Sequence, residues 1–196
     1  MGKTLQSCWN PSLPQRANMN IFVLDLNIAS CARFHCDQHV VKMILESAQI
    51  ACTALNEKGF KTPYKSTHVK HPCVQWAGAS FANLQWLKKL AKALNREYRY
   101  RYRTCRDHRS FAVIDQIEGM AFESVGLTDF PQAMPERYQV PGDPVRAYRN
   151  YYVAEKLTFA RWTRRRRPAW IGEILHPQPA SDSDADPSAA PRCEDA

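Results

Sequence analysis

The stretch HCDQHVVKMILESAQIACTAL (35–55) decides how the rest of the chain reads. On a helical wheel at about 100° per residue, Val41, Ile44, Leu45, Ala48, Ala51, Cys52 and Leu55 share one wide apolar arc. His35, His39, Lys42, Glu46, Gln49 and Thr53 fall on a stripe of only roughly 80°, and Met43, Ile50 and Ala54 close in beyond it. A surface helix carries a broad charged face. A thin polar seam between two apolar flanks predicts instead a helix buried nearly all round. Ionisable groups are costly to bury unless they are paired or used. The seam is therefore either an internal network or the lining of a cleft where chemistry happens.

Outward from this helix the chain alternates short irregular segments with further helical patterns. Ser30 or Asp37 can cap its start, and Gly59 ends it. Upstream, MNIFVLDLN (19–27) has an apolar core too short for a helix and reads as a strand or extended segment. Downstream, KTPYKSTHVKHPCVQW (61–76) is a loop with two prolines. A second long helix is expected from about Val74 to Tyr98, with Ala77, Phe81, Leu84, Leu87, Ala91 and Leu94 inward and Lys88, Lys89, Lys92 and Arg96 outward. SFAVIDQIEGM (110–120) is weakly amphipathic, and residues 125–144 form a Pro-rich loop. Asp143-Pro144, a capping residue before a first-turn proline, opens a third helix that is aromatic and basic. The expected architecture is mostly α: a single-domain helical bundle over 19–172. Before it stands a loose leader, 1–18, and after it a disordered acidic tail, 173–196.

Charge narrows the partners. Residues 177–196 hold Asp182, Asp184, Asp186, Glu194 and Asp195 against Arg192, so residues 1–176 carry +12 of the overall +8. A body that basic suits a polyanion, nucleic acid before anionic membrane. The seven cysteines, at 8, 31, 36, 52, 73, 105 and 193, are odd in number and form no CxxC pair. With no signal-like or membrane-spanning run, the pattern predicts a reduced, cytoplasmic, soluble protein.

Three constellations carry chemistry. His39, Lys42 and Glu46 place an imidazole, an amine and a carboxylate on one seam, suited to acid, base or nucleophile roles. The plainer alternative is an i,i+4 ion pair between Lys42 and Glu46. His35 and His39 are spaced for one metal, with His68, His71 and Cys73 as further ligands. The intervening glutamate of the HExxH zinc motif is absent, so no metal is expected. His68 and His71, beside Lys65 and Lys70, suit phosphate. Finally, REYRYRYR (96–103) interleaves Arg99, Arg101 and Arg103 with Tyr98, Tyr100 and Tyr102. Arginine meets phosphates and tyrosine offers stacking faces. With Lys65, Lys70, Lys88, Arg149 and Arg164–Arg167, this run can form a DNA-binding groove; otherwise it is a solvated helix end whose tyrosines pack inward. No phosphate-cradling glycine loop and no GxSxG occurs, and no cofactor is expected.

Two resemblances follow. MNIFVLD (19–25), CDQHVVKMILESAQ (36–49), THVKHPCVQW (67–76) and VPGDPVRAYRNYY (140–152) look like a family of phage and bacterial proteins, a likeness that brings no activity with it. Asp37-Gln38-His39, with Glu46 seven residues beyond the histidine, resembles the first helix of phage-type pyrimidine-dimer DNA glycosylases, the endonuclease V family. The helix after His71 and the closing Arg-Pro-Ala-Trp (167–170) follow that family's order of elements. The resemblance implies a small, basic, helical enzyme without a cofactor, whose N-terminal amine attacks C1′ of the damaged nucleotide to form a Schiff base. It assigns the catalytic glutamate to Glu46 and the nearby histidine to His39. The family's arginine before that glutamate is Leu45 here, and Met1 lies well upstream of the matching start. A chain starting at Met19 would remove the second departure, although Asn20 disfavours methionine removal; otherwise Lys42 is the nearest amine. The resulting expectation is a base-excising DNA glycosylase/AP lyase acting on damaged or modified pyrimidines. Its rivals are a non-enzymatic nucleic-acid-binding protein and a histidine-metal hydrolase or nucleotide-modifying enzyme.

Overall fold

The computed structural model describes residues 19–177; the leader 1–18 and the tail from 178 onward lie outside the described residues. Among the described residues seven α-helices follow in order: α1 (Ile28–Phe34), α2 (Asp37–Glu57), α3 (Pro72–Ala79), α4 (Phe81–Tyr102), α5 (Phe111–Gln116), α6 (Pro144–Lys156) and α7 (Trp170–Leu175). One turn of 3₁₀-helix, Glu136–Tyr138, precedes α6. The fold is mostly α, and among the described residues no strand is formed.

The 35–55 stretch is the central helix, α2, packed mainly against α4 and α3. At 1.5 Å per residue its 21 residues reach about 32 Å. Its start differs from expectation. His35 is extended (ψ 137°), and α2 begins only at Asp37, with Cys36 at the cap position and no side chain capping. Asp37 spends its carboxylate elsewhere, accepting from Thr163 N at 3.0 Å and Thr163 Oγ1 at 2.7 Å. Ser30 caps nothing either; its backbone N–H donates to the side chain of Asn27, which caps α1. At the far end Gly59 turns the chain at φ +87°, a conformation that favours glycine, and Phe60 N closes back on Leu55 O.

The single helix expected over 74–98 is two helices, broken at Ser80 in an extended conformation. The break is held by side chains: Ser80 Oγ donates to Gly126 O at 2.7 Å, and Asn83 binds Trp76 O and Thr128. α4 then continues to Tyr102, through the whole Tyr/Arg run, and ends with Arg103 in the left-handed region (φ 50°). Lys88, expected outward, is buried; its ammonium donates to Ile117 O and Glu118 O and pairs with Glu118. Asp143 caps α6 as its sequence predicts, accepting from Arg146 N at 2.9 Å. α7, which the sequence reading did not separate, buries Trp170 and Ile171.

The 19–25 segment is neither strand nor helix. Ile21, Val23 and Leu24 are fully buried, and the segment binds both α2 and α6: Asn20 N donates to Glu46, and Arg149 donates to Leu24 O at 2.9 Å. Phe22 takes a left-handed backbone (φ 37°), with the Asn20 side-chain oxygen accepting from both Ile21 N and Phe22 N. A phenylalanine there costs about 1–3 kcal/mol, a strain that persists only where the surroundings hold it.

Candidate active site

Glu46 is the pivot of the polar seam. It is only 4% exposed, on the middle of α2, where the apolar flanks of the helix close over it. Both carboxylate oxygens are used: Oε1 pairs with Lys42 Nζ at 3.0 Å, one helical turn away, and Oε2 accepts from the backbone N–H of Asn20 at 3.0 Å. Burial raises its pKa above the usual carboxylate value, while Lys42 and the Asn20 N–H pull the other way. Lys42 reaches outward, its side chain half exposed, so the pair runs from the surface to the interior. The plain ion pair of the sequence reading is present, but one partner is buried and shared with the chain's opening segment.

His39 lies one turn before Lys42 and is 5% exposed. Phe22 stacks on its ring (4.6 Å between centroids, 21°), and Phe159 meets it edge-on at 5.8 Å. Its Nδ1 lies 2.9 Å from Tyr152 Oη, and the same hydroxyl accepts from Cys36 N at 2.8 Å. A hydroxyl accepting from a backbone N–H can still give its own proton to Nδ1, and in that tautomer the imidazole proton sits on Nε2. Burial first, and then the charges of His35, Lys156 and Lys42, push the His39 pKa down to about 3. At neutral pH His39 is a neutral ring offering an N–H donor.

The strap before α6 completes the surroundings. Asn20 Nδ2 donates to Ala133 O at 2.9 Å, so one residue joins the carboxylate to residues 131–134. Tyr151 lies nearly parallel to Phe22 (6.1 Å, 12°), Tyr138 packs on Tyr151 at 5.3 Å, and Lys156 Nζ sits over the Tyr151 ring at 4.6 Å. Asn20, Phe22, Tyr151, Tyr152 and Lys156 were not singled out from the sequence. The signal available was a lone polar residue, Asn20, opening an otherwise apolar buried run, and the aromatic density of α6.

Several expected site residues stand elsewhere. His35 is not on the seam; it lies in the joint between α1 and α2, fully buried, with Nδ1 2.7 Å from Cys31 O and its pKa pushed down to about 4 by burial. His71 caps α3, its Nδ1 accepting from Cys73 N at 3.2 Å, and His68 is bonded to Thr67 Oγ1. Among the described residues no group of three or more His, Cys, Asp or Glu side chains is placed to hold a metal, so His35, His39, His68 and His71 are not gathered into one site. Lys65 and Lys70 are exposed on the loop that docks on α2 through Thr67 N and Thr53 Oγ1, at 3.1 Å.

The Tyr/Arg run divides. Arg101 is not a surface grip: its guanidinium is fully buried and binds Glu97, Asp37, His35 O and Arg33 O. Tyr100 carries Arg164 and Arg165 over its ring at 4.5 and 4.0 Å, which leaves that face covered. Arg165 also pairs with Glu97 at 2.6 Å. Arg99 and Arg103 remain exposed, Arg99 within 3.5 Å of Asp107, and Tyr102 is exposed with its hydroxyl on Asp37 O. Arg149 is committed to Asp25 and Leu24 O and lies over the Trp170 ring. The helix period explains the split. Residues 97 and 101 share one face of α4 and turn inward, whereas 99, 102 and 103 face out.

The family model for pyrimidine dimer DNA glycosylase matches residues 19–110. That span runs from the Asn20 segment through α1–α4 and contains His39, Lys42 and Glu46; the 131–138 strap and α6 lie beyond it. At family level the resemblance is to a DNA-acting, DNA-repairing glycosylase. No curated protein and no solved structure matches the chain. No described helix is long and apolar enough to cross a membrane.

Proposed function

We propose that this chain is a DNA glycosylase/AP lyase that excises damaged pyrimidines through an amine nucleophile, with Glu46 as its acid/base. One observation carries the reading: the buried carboxylate holds Asn20 N on one oxygen and Lys42 Nζ on the other, each at 3.0 Å. The Lys42 amine therefore meets Glu46 directly, and the other candidate position, a terminal amine at Met19, is one residue from the Asn20 N–H that Glu46 holds. In a chain whose first residue is Asn20, the terminal amine would be the atom now bonded to Glu46. In one that keeps Met19, the amine would lie one residue, about 3.8 Å along the backbone, away.

The chemistry follows from these positions. A carboxylate with a raised pKa takes the proton from an ammonium, and the freed amine attacks C1′. The bond from C1′ to the base breaks, and its electron pair leaves with the base, which picks up a proton. The nitrogen lone pair then breaks the C1′–O4′ bond, O4′ takes the proton held by Glu46 and becomes a hydroxyl, and the opened sugar is left as a protonated imine to the enzyme. The carboxylate can then take a C2′ proton, expelling the 3′ phosphate by β-elimination. Neutral His39 offers Nε2–H to an oxygen of the sugar or the departing pyrimidine. Partly exposed Tyr151 and Phe159, backed by the buried Phe22, supply aromatic faces for a nucleotide drawn out of the stack. Exposed Arg99, Arg103, Lys65 and Lys70 are the proposed backbone contacts, and the setting is a soluble, cytoplasmic one.

The test is borohydride trapping on duplex DNA carrying an abasic site or a pyrimidine dimer. A covalent adduct in the wild type that is lost in Glu46→Gln supports the reading. DNA binding with no adduct on any such substrate leaves the non-enzymatic binding protein in its place.

A further inference from the structure

We propose that Lys156, at the end of α6, forms with Lys42 an anion site that holds a DNA backbone phosphate beside the reacting nucleotide. The inference rests on the glycosylase reading above and extends it to residues beyond the matched span.

Lys156 differs from the other half-buried cations of this fold in lacking a carboxylate. Arg149 has Asp25, Arg165 has Glu97 and Lys92 has Glu118. Among the described residues no carboxylate lies within salt-bridge distance of Lys156. Its sequence neighbour Glu155 is bound instead to Tyr138 Oη at 2.6 Å and Arg137 at 3.0 Å. The ammonium instead rests over the Tyr151 ring at 4.6 Å, a contact that orients it without neutralising it.

Its position relative to His39 makes this a site rather than a lone surface charge. The Tyr151 ring under Lys156 lies parallel to Phe22 at 6.1 Å, Phe22 stacks on His39 at 4.6 Å, and Lys42 follows His39 by one turn of α2. An ammonium from each helix thus stands near the His39 imidazole, and both charges disfavour its protonation. Of the carboxylates nearby, Glu46 is divided between Lys42 and Asn20 N, and Glu155, which feels the Lys156 charge, is paired with Arg137. The local balance is one positive charge in excess, with N–H donors on two elements and aromatic faces between them. A singly charged phosphodiester supplies the missing charge and the acceptor oxygens, and its sugar suits the aromatic faces.

The experiment compares wild type, Lys156→Gln, Lys156→Arg and the control Lys61→Gln, all as full chains. Each binds a duplex with a tetrahydrofuran abasic analogue between about 50 and 300 mM salt, and kcat and KM are read on the cleavable abasic duplex. Lys156→Gln should weaken binding about tenfold at 0.1 M salt and lower the slope of log K against log salt by about one. KM should rise with kcat nearly unchanged, Lys156→Arg should restore most of the loss, and the melting temperature should not move. An unchanged slope and KM in a folded Lys156→Gln protein overturn the site while leaving the glycosylase reading intact. A slope lowered in Lys156→Gln, where the wild type neither traps nor cleaves, keeps the phosphate site and removes that reading. No salt-dependent binding by the wild type removes the inference itself.

Discussion

Replacing Arg101 by methionine separates a structural arginine from a DNA-binding one. The wild-type guanidinium is fully buried and donates to Glu97 at 3.1 Å, Asp37 at 3.1 Å, and the carbonyls of His35 and Arg33 at 2.8 Å each. Removing one partner of a buried ion pair costs about 3–5 kcal/mol, because the other charge is left without compensation. Here the stranded carboxylates keep help: Glu97 retains Arg165, and Asp37 retains Thr163. That places the loss near the lower end, about 3 kcal/mol, with the orphaned His35 carbonyl adding to it. For a chain of this size each kcal/mol lowers the melting temperature by about 2–4 °C, so a fall of about 6–12 °C is expected. The assay is a thermal or urea melt alongside a salt titration of DNA binding below the mutant's melting temperature. The salt slope should be unchanged, since Arg101 contributes no free charge to the surface. Arg101→Met melting within about 2 °C of wild type, with a slope lowered by about one, would refute the assignment.

Replacing Arg99 and Arg103 together by alanine should do the reverse, lowering the salt slope by up to about two while leaving the melt within about 2 °C. Burial holds His39 at about 3 and His35 at about 4, below the ordinary imidazole value. The unfolded chain therefore binds these protons first, and stability should fall as pH drops below about 6.5. His71 and His108, less buried, add in the same direction. His39→Gln should reduce the protons taken up on unfolding between pH 5 and 6.5 by up to about one, read from denaturant melts across pH; an unchanged uptake would mean that His39 is solvated. The raised Glu46 pKa has the opposite sign. Folding holds that proton more tightly, so this group makes stability fall as pH rises through the interval above 4.5, and Glu46→Gln should flatten that limb.

The helical class, the central helix and the shared seam of His39, Lys42 and Glu46 were legible because each rests on local periodicity. The resemblance to pyrimidine-dimer glycosylases was legible for the same reason: its central motif, Asp37-Gln38-His39 with Glu46, lies on that one helix. What sequence spacing could not give was the traffic between distant segments. Asn20 meets Glu46 across 26 positions, and His39 meets Tyr152 across 113. No local pattern announces such a pair. His35 fits the wheel of α2 perfectly well, yet the chain leaves helical geometry just before Asp37 and carries His35 into a different corner. Arg101 reads as one member of a uniform basic run. Only the packing of α4 on α1 shows that its turn of the helix faces the interior. Ser80 broke the long second helix for a tertiary reason, since the bonds that stabilise its extended backbone come from residues 124–128.

The most direct test of the catalytic account is to locate the residue that borohydride links to abasic DNA. Three proteins are compared: the full chain, a chain beginning at Met19, and the latter carrying Glu46→Gln. Digestion and mass spectrometry should find the adduct on Met19, the first residue of the shortened chain, or on Lys42, the amine paired with Glu46. Glu46→Gln should lose the adduct while remaining folded. An adduct on a lysine remote from Glu46, or trapping undiminished in folded Glu46→Gln, would contradict the account.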